Sequence, residues 1–275
     1  MIKKILVELD DTPISDSVIT YAVALAKAHD AELTGVTVVD VGKLEDVGPV
    51  PLGAASYANQ LRDDRIVKTE KEILKRTSLF TSACEAAGVT FHVDHEKGDP
   101  FTIMISKARH HDLILIGLGG LFDYGVVKES SYLLERLIRE GVQPIFAIPS
   151  HYQPIKRVLI AYSGSLHSAE AMKQFLQFRL WPEAIIRIIC FDKNSEESSR
   201  ILADGLSFCQ THGFSADTIH FPGNDPDILL QHAKEWNADL IVLGSNLRNI
   251  FLKKVFCDVT HHLIQHSKKA LFLSQ

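Results

Sequence analysis

The 275-residue chain lacks several things, and each lack excludes a class of protein. No apolar run approaches the roughly 20 residues that a membrane helix requires, so membrane insertion is not expected. The opening Met1-Ile2-Lys3-Lys4-Ile5-Leu6-Val7-Glu8 meets an acidic residue too early to supply the apolar core of a signal peptide. A cytoplasmic protein is the expectation. Cysteine is scarce: Cys84, Cys190, Cys209 and Cys257 are far apart and form no CxxC pair, which excludes a disulfide framework and leaves reduced, packing thiols. Low-complexity stretches are missing, and 46% hydrophobic with 23% charged residues is an ordinary globular balance. A positive surplus is absent too. The net charge of −5 argues against a broad nucleic-acid footprint.

What is present is alternation. Ile5 to Leu9 is a short apolar run ending in Asp10-Asp11-Thr12-Pro13, a buried parallel strand followed by a turn. Thr12 before Pro13 reads as a helix cap with proline in the first turn, and Val18, Ala22, Leu25 and Ala26 then recur at helical spacing. Strands are expected at Leu33 to Val39, Val89 to Val93, Leu113 to Ile116 and Pro144 to Ile148. Between them fall a surface loop from Val41 to Ser56, a long helix from Asn59 to Ala87 stopped by Gly88, a helix starting near Pro100, and one from Ser131 to Glu140. Such βαβ units build a doubly wound, mainly parallel α/β sheet.

After Pro149-Ser150-His151-Tyr152-Gln153-Pro154 the pattern repeats. Lys4-Ile5-Leu6-Val7 has its echo in Arg157-Val158-Leu159-Ile160, and Asp112-Leu113-Ile114-Leu115-Ile116-Gly117 in Asp239-Leu240-Ile241-Val242-Leu243-Gly244. The expected division is a first domain at 1–150 and a second at 155–275. Two units of this size make paired domains and not a solenoid.

In open α/β sheets ligands sit beyond the carboxyl ends of the strands. Asp10 follows the first strand there, where it could accept a hydrogen bond from a ribose hydroxyl. Gly117-x-x-Gly120 follows the fourth, then nine residues, then Ser130-Ser131. Glycines let a backbone approach phosphate or adopt positive φ, and free N–H groups at a helix start favour an anion. Alone, the glycine pair could equally be a tight turn. A Rossmann dinucleotide site is disfavoured, because its glycines would follow the first strand, and GxxxxGK[ST] is absent. Ser163-Gly164-Ser165-Leu166-His167-Ser168 only faintly resembles a pyrophosphatase loop, with His167 where that loop has aspartate.

On these residues the chain resembles the universal stress protein family, in its ATP-binding branch, whose signature is Gly-x-x-Gly, nine residues, then Gly-Ser, with an aspartate closing the first strand. The resemblance covers both halves. It implies two tandem flavodoxin-like, HUP-type domains with strand order 3-2-1-4-5, and ATP or AMP, with or without Mg²⁺, in the first domain. The nucleotide-binding residues it implies are Leu9, Asp10, Val38, Ile116, Gly117, Gly119, Gly120, Ser130, Ser131 and Tyr132. Val38 matches the position that packs on adenine. Ser130 departs from the signature's glycine and adds a Cβ beside the phosphates. In the second domain Ser163 stands for the aspartate, and the later motif reads Gly244-Ser245-Asn246-Leu247, nine residues, Cys257-Asp258. A carboxylate at the phosphate position repels phosphate, so no nucleotide is expected there.

The resemblance further implies a regulatory protein of the stress response with an adenine nucleotide, an unidentified protein partner and no nucleic acid. The two domains would pair through their last strands, Pro144 to Ile148 against Ala270 to Leu273, and a further homodimer is compatible. The alternatives are a slow ATPase at the same site, or a module binding a metabolite or lipid-like ligand. No nucleophile–base pair is legible, and no catalytic residue is assigned. Cys257 with His261, and His262 with His266, have a spacing that could meet zinc, but solvated or packed histidines are commoner, and no metal site is assigned. His110-His111, closing a helix, would complement its dipole.

Overall fold

A computed structural model describes residues 2–40, 42, 44, 54–118, 122, 132–141, 143–223, 225–244 and 256–275. The elements run β1 (Lys4–Glu8), α1 (Ser15–His29), β2 (Glu32–Val39), α2 (Ala55–Ala87), β3 (Phe91–Lys97), α3 (Pro100–Ala108), β4 (Leu113–Gly117), α4 (Tyr132–Glu140) and β5 (Ile145–Ile148). The second half repeats them as β6 (Arg157–Ala161), α5 (Leu166–Phe178), β7 (Ile185–Phe191), α6 (Ser195–Thr211), β8 (Ala216–Phe221), α7 (Pro226–Glu235), β9 (Leu240–Gly244), α8 (Phe256–His266) and β10 (Ala270–Ser274).

One sheet holds all ten of these strands, in the order β3-β2-β1-β4-β5-β10-β9-β6-β7-β8. Each half is a parallel 3-2-1-4-5 sheet, and the two join where β5 meets β10 antiparallel, with Phe146 opposite Phe272. Pairing the last strands removes two open edges at once. Both faces are covered by helices, so the inner strands are apolar on both sides. Along β1, Ile5 and Val7 enter one core and Leu6 the other.

The duplication reaches single hydrogen bonds. The amides of Lys3 and Lys4 donate to Asp112 Oδ2 at 2.7 and 2.9 Å, and those of Lys156 and Arg157 donate to Asp239 Oδ2 at 2.8 and 2.9 Å. Asp99 and Asp225 each accept from a first-turn amide and are followed by proline, which caps α3 and α7 alike. Gly88 closes α2 at φ 67°, a left-handed conformation that costs glycine nothing.

Some expectations are corrected. Thr12 does not cap α1: Ile14 holds that position without a side-chain bond, because the Thr12 hydroxyl is taken by the neighbouring Asp10 carboxylate. The third strand lies at Phe91–Lys97, later and longer than its apolar pattern. As an edge strand it keeps charged residues in the ladder. His111 serves the end of α3 through a hydrogen bond, Nδ1 to Lys107 O at 2.7 Å, and burial lowers its pKa, so it contributes no charge to the dipole.

Candidate functional site

The carboxyl ends of β1, β2 and β4 converge beside the first turn of α1. Asp10 lies just past β1 and is buried at 3% exposure. Its carboxylate accepts from the Thr12 amide at 3.2 Å and from the Thr12 hydroxyl at 2.9 Å, a local Asx turn. Asp11 turns outward to Arg76 of α2, whose guanidinium also reaches Asp16 Oδ1 at 2.7 Å. Arg76, only 7% exposed, thus ties the β1–α1 turn to the long helix.

Gly117 ends β4, and its function here is space. A Cβ built on it would stand 3.1 Å from Ile14 Cγ2, so the glycine lets the start of α1 lie against the strand. Positive φ is not involved. Leu9, Val38 and Ile116 are fully packed: Leu9 on the α1 side, Val38 and Ile116 on the other. Asp10 and Gly117 are therefore brought to one sheet end, while the Val38 side chain lies in the core beneath it. Gly119, Gly120, Ser130, Ser131 and the Tyr132 side chain lie outside the described residues.

A residue missing from the sequence-based set stands at the centre. Glu8, the last residue of β1, is 2% exposed, and its carboxylate accepts from the amides of Gly117, at 3.2 Å, and of Phe122. Burial raises its pKa well above the usual carboxylate range, the Asp10 charge raises it further, and the two amides pull it back. An acidic residue inside the run Ile5-Leu6-Val7-Glu8-Leu9 was the available signal, since a carboxylate there must find buried donors. Beside this site, a cleft of about 460 Å³ opens where the halves meet, lined in part by Ile14, Leu118, Ser150, His151 and Lys268.

The second half shows the same geometry filled in. A Cβ on Gly244 would fall 2.2 Å from the His167 carbonyl oxygen, so the first turn of α5 rests directly on the end of β9. Ser163, replacing the aspartate, spends its hydroxyl on Ser165 at 3.0 Å and Ser168 at 3.3 Å. A cavity between Ala161, Phe191, Leu229 and Val259 holds about 20 Å³, room for one water. The Cys257 and Asp258 side chains lie outside the described residues, and His261 is engaged by Glu135 of α4 at 2.6 Å. Among the described residues, no group of three or more His, Cys, Asp or Glu could hold a metal, and no helix is long and apolar enough to cross a membrane.

Comparison with known proteins agrees with this architecture. The model of the universal stress protein family matches residues 1–132 and 192–273. The universal stress protein Slr1230 of Synechocystis is 22% identical over 258 residues, 89% of this chain and 90% of its own length. Among solved structures, a universal stress protein from Archaeoglobus fulgidus superposes with a TM-score of 0.70 at 16% identity, covering 99% of this chain and 96% of its own. A functionally unknown protein of Pseudomonas aeruginosa, PA1789, gives 0.61 at 13% identity, with 99% and 92% covered.

Proposed function

The chain belongs to the universal stress protein family, and from that premise we propose that its first half, residues 1–150, is a cytosolic adenine-nucleotide-binding regulatory domain. The second half, residues 155–275, is then a partner domain that has lost the nucleotide.

The observation that carries this reading is the asymmetry of two equivalent sheet ends. In the first half Asp10 survives, the atoms nearest a Cβ built on Gly117 belong to the Ile14 side chain, and a ligand-sized cleft opens next to Leu118. Among that cleft's described lining residues are Lys268 and His151 and no carboxylate, an environment suited to phosphate. In the second half the aspartate is a serine and the helix backbone presses on Gly244. ATP or AMP, with Mg²⁺ arriving on the phosphates, would be held by Asp10 at the ribose and by the turn after β4 at the phosphates. Occupancy would change the surface offered to a protein partner.

Calorimetric titration of the full chain with Mg-ATP and with AMP tests this. One site per chain, with a dissociation constant on the order of micromolar, is expected. Gly117→Val should abolish it, because its side chain would be driven into Ile14. Two sites per chain, or full binding by the Gly117→Val protein, would place the nucleotide elsewhere.

A further inference from the structure

The way the halves join decides what stands beside each sheet end. β5 and β10 run antiparallel, with Leu271 opposite Ala147 and Leu273 opposite Ile145. The amino end of β10 therefore lies beside the carboxyl end of β5, on the side of the first-half sheet that carries Asp10 and Gly117. The residues that lead into β10, Ser267 and Lys268, accordingly line the cleft of about 460 Å³ together with Ile14, Leu118 and His151. Ile14 joins the two places: its side chain covers Gly117 and also forms part of the cleft wall.

Hydrogen bonds hold this cleft from both halves. The Ser267 amide donates to Leu263 O at 2.8 Å. Its hydroxyl donates to the Lys269 carbonyl and accepts from the Lys269 amide, both at 3.0 Å, a tight turn with Lys268 between them. On the other wall the Tyr21 hydroxyl donates to the Gln153 carbonyl at 2.6 Å and accepts from the Gln153 amide at 3.2 Å, which pins the linker to α1. Lys268 is exposed, and its ammonium makes no hydrogen bond or ion pair with any described residue.

The repeat shows that the scaffold does not require a cation there. Gly117 and Gly244 end equivalent strands, and their ladder partners are Ile148 and Ser274, which sets Lys268 on Val142 in the sequence. The residue leading into the last strand is thus a lysine where it borders the first-half sheet end and a valine where it borders the second. The charge goes with the end that keeps Asp10. Lys268 also follows α8 by two residues, where a helix dipole favours a cation, and the experiment must separate that service from binding.

We propose that Lys268 is a specificity-determining residue of the first-half site, supplied by the second half: its ammonium pairs with the phosphates of a nucleotide whose ribose is held at Asp10. An uncharged nucleoside gains nothing from it. The proposal rests on the nucleotide reading above and adds that the site is complete only when both halves are joined.

The test is calorimetry with Mg-ATP and with adenosine on the full chain, as the wild type, Lys268→Ala and Lys268→Arg. Mg-ATP should bind on the order of 10-fold or more weakly to Lys268→Ala, because a hydrogen bond to a charged group is worth about a decade in an equilibrium constant. Lys268→Arg keeps the charge and should stay within about 3-fold of the wild type. Adenosine affinity should change less than about 3-fold in both variants. Urea unfolding checks that each variant is folded, and the midpoint should hardly move. A lowered midpoint with unchanged affinities in Lys268→Ala would assign the lysine to the α8 dipole and overturn the proposal. Equal losses for adenosine and Mg-ATP, or an arginine variant as weak as the alanine one, would overturn it as well. In those outcomes the wild type still binds, so the nucleotide reading stands. No binding of either ligand by the wild type overturns the nucleotide reading and this proposal together.

Discussion

Replacing Phe146 by alanine should both destabilise the protein and weaken the coupling between its halves. Phe146 is fully buried on β5, opposite Phe272 across the antiparallel seam. Its ring centroid is 5.2 Å from that of Tyr21 on α1 and 5.2 Å from that of Trp181, which follows α5. One side chain thus packs elements from both repeats. A buried Phe→Ala change costs about 3–5 kcal/mol, the transfer term plus the cavity left behind. The upper part of that range is expected, because the wall cannot collapse freely: the Tyr21 hydroxyl is held by the Gln153 carbonyl at 2.6 Å, and both strands are fixed by their ladders. Against a total stability of about 5–15 kcal/mol this is a large fraction. Urea unfolding followed by tryptophan fluorescence is the assay, since Trp181 reports from the seam itself. The midpoint should fall, and a transition that is single in the wild type should broaden or split as the halves uncouple. Phe272→Ala should behave alike, and the double variant should fall short of additivity by about 0.5 kcal/mol or more. A loss under about 1.5 kcal/mol with an unchanged single transition would refute the seam as a shared core.

Three further predictions rest on single side chains. Arg76→Ala should cost about 1–2 kcal/mol, since it strips two partly exposed carboxylates of their buried partner, and should speed amide exchange in the turn from Asp11 to Ser15; unchanged exchange would show the clamp to be idle. Burial lowers the pKa values of His29, His111 and His232, so the unfolded chain takes up protons at about 6.5 while the folded chain does not. Stability should therefore decline as pH falls through about 6.5 and below, and His111→Gln should flatten the decline; a urea midpoint that rises from pH 7.5 to 5.5 contradicts the sign. Cys84 and Cys209, buried thiols pushed up to about 11 and about 12, should resist thiol reagents at neutral pH until the chain unfolds, and rapid labelling of the native protein would show them exposed.

Sequence periodicity carried the architecture because both faces of the sheet are buried. Runs such as Leu113-Ile114-Leu115-Ile116 can only be inner strands, and the echo at Leu240 gave the duplication. It failed at the edge. In Phe91–Lys97 His92, His95 and Lys97 are exposed while Asp94 and Glu96 are half-buried against Lys107, so the ladder to β2 runs through residues with no apolar rhythm. Asp10 and Gly117 were legible because they punctuate strand ends. Glu8 and Arg76 were not, because their partners lie 109 and 65 positions away, at Gly117 and Asp11. Nor could the chain alone tell why Gly117 is glycine: the reason is contact with Ile14 and not an unusual φ.

The repeat provides an internal control that a single domain would lack. Both halves share strand order, the aspartate that ties the first and fourth strands, and the capped third helix, so these features follow from the scaffold. At the sheet end they differ: Glu8 against Ala161, Asp10 against Ser163, and a side chain against a helix backbone at the two glycines. A Cβ built on Gly244 would fall under 3 Å from the main chain of His167 and Ser168, so the start of α5 lies directly on that glycine. At Gly117 the nearest atom to a built Cβ is Ile14 Cγ2 at 3.1 Å, a side-chain atom. The two sheet ends thus differ in what lies against the glycine that ends the fourth strand: a side chain in the first half, helix backbone in the second.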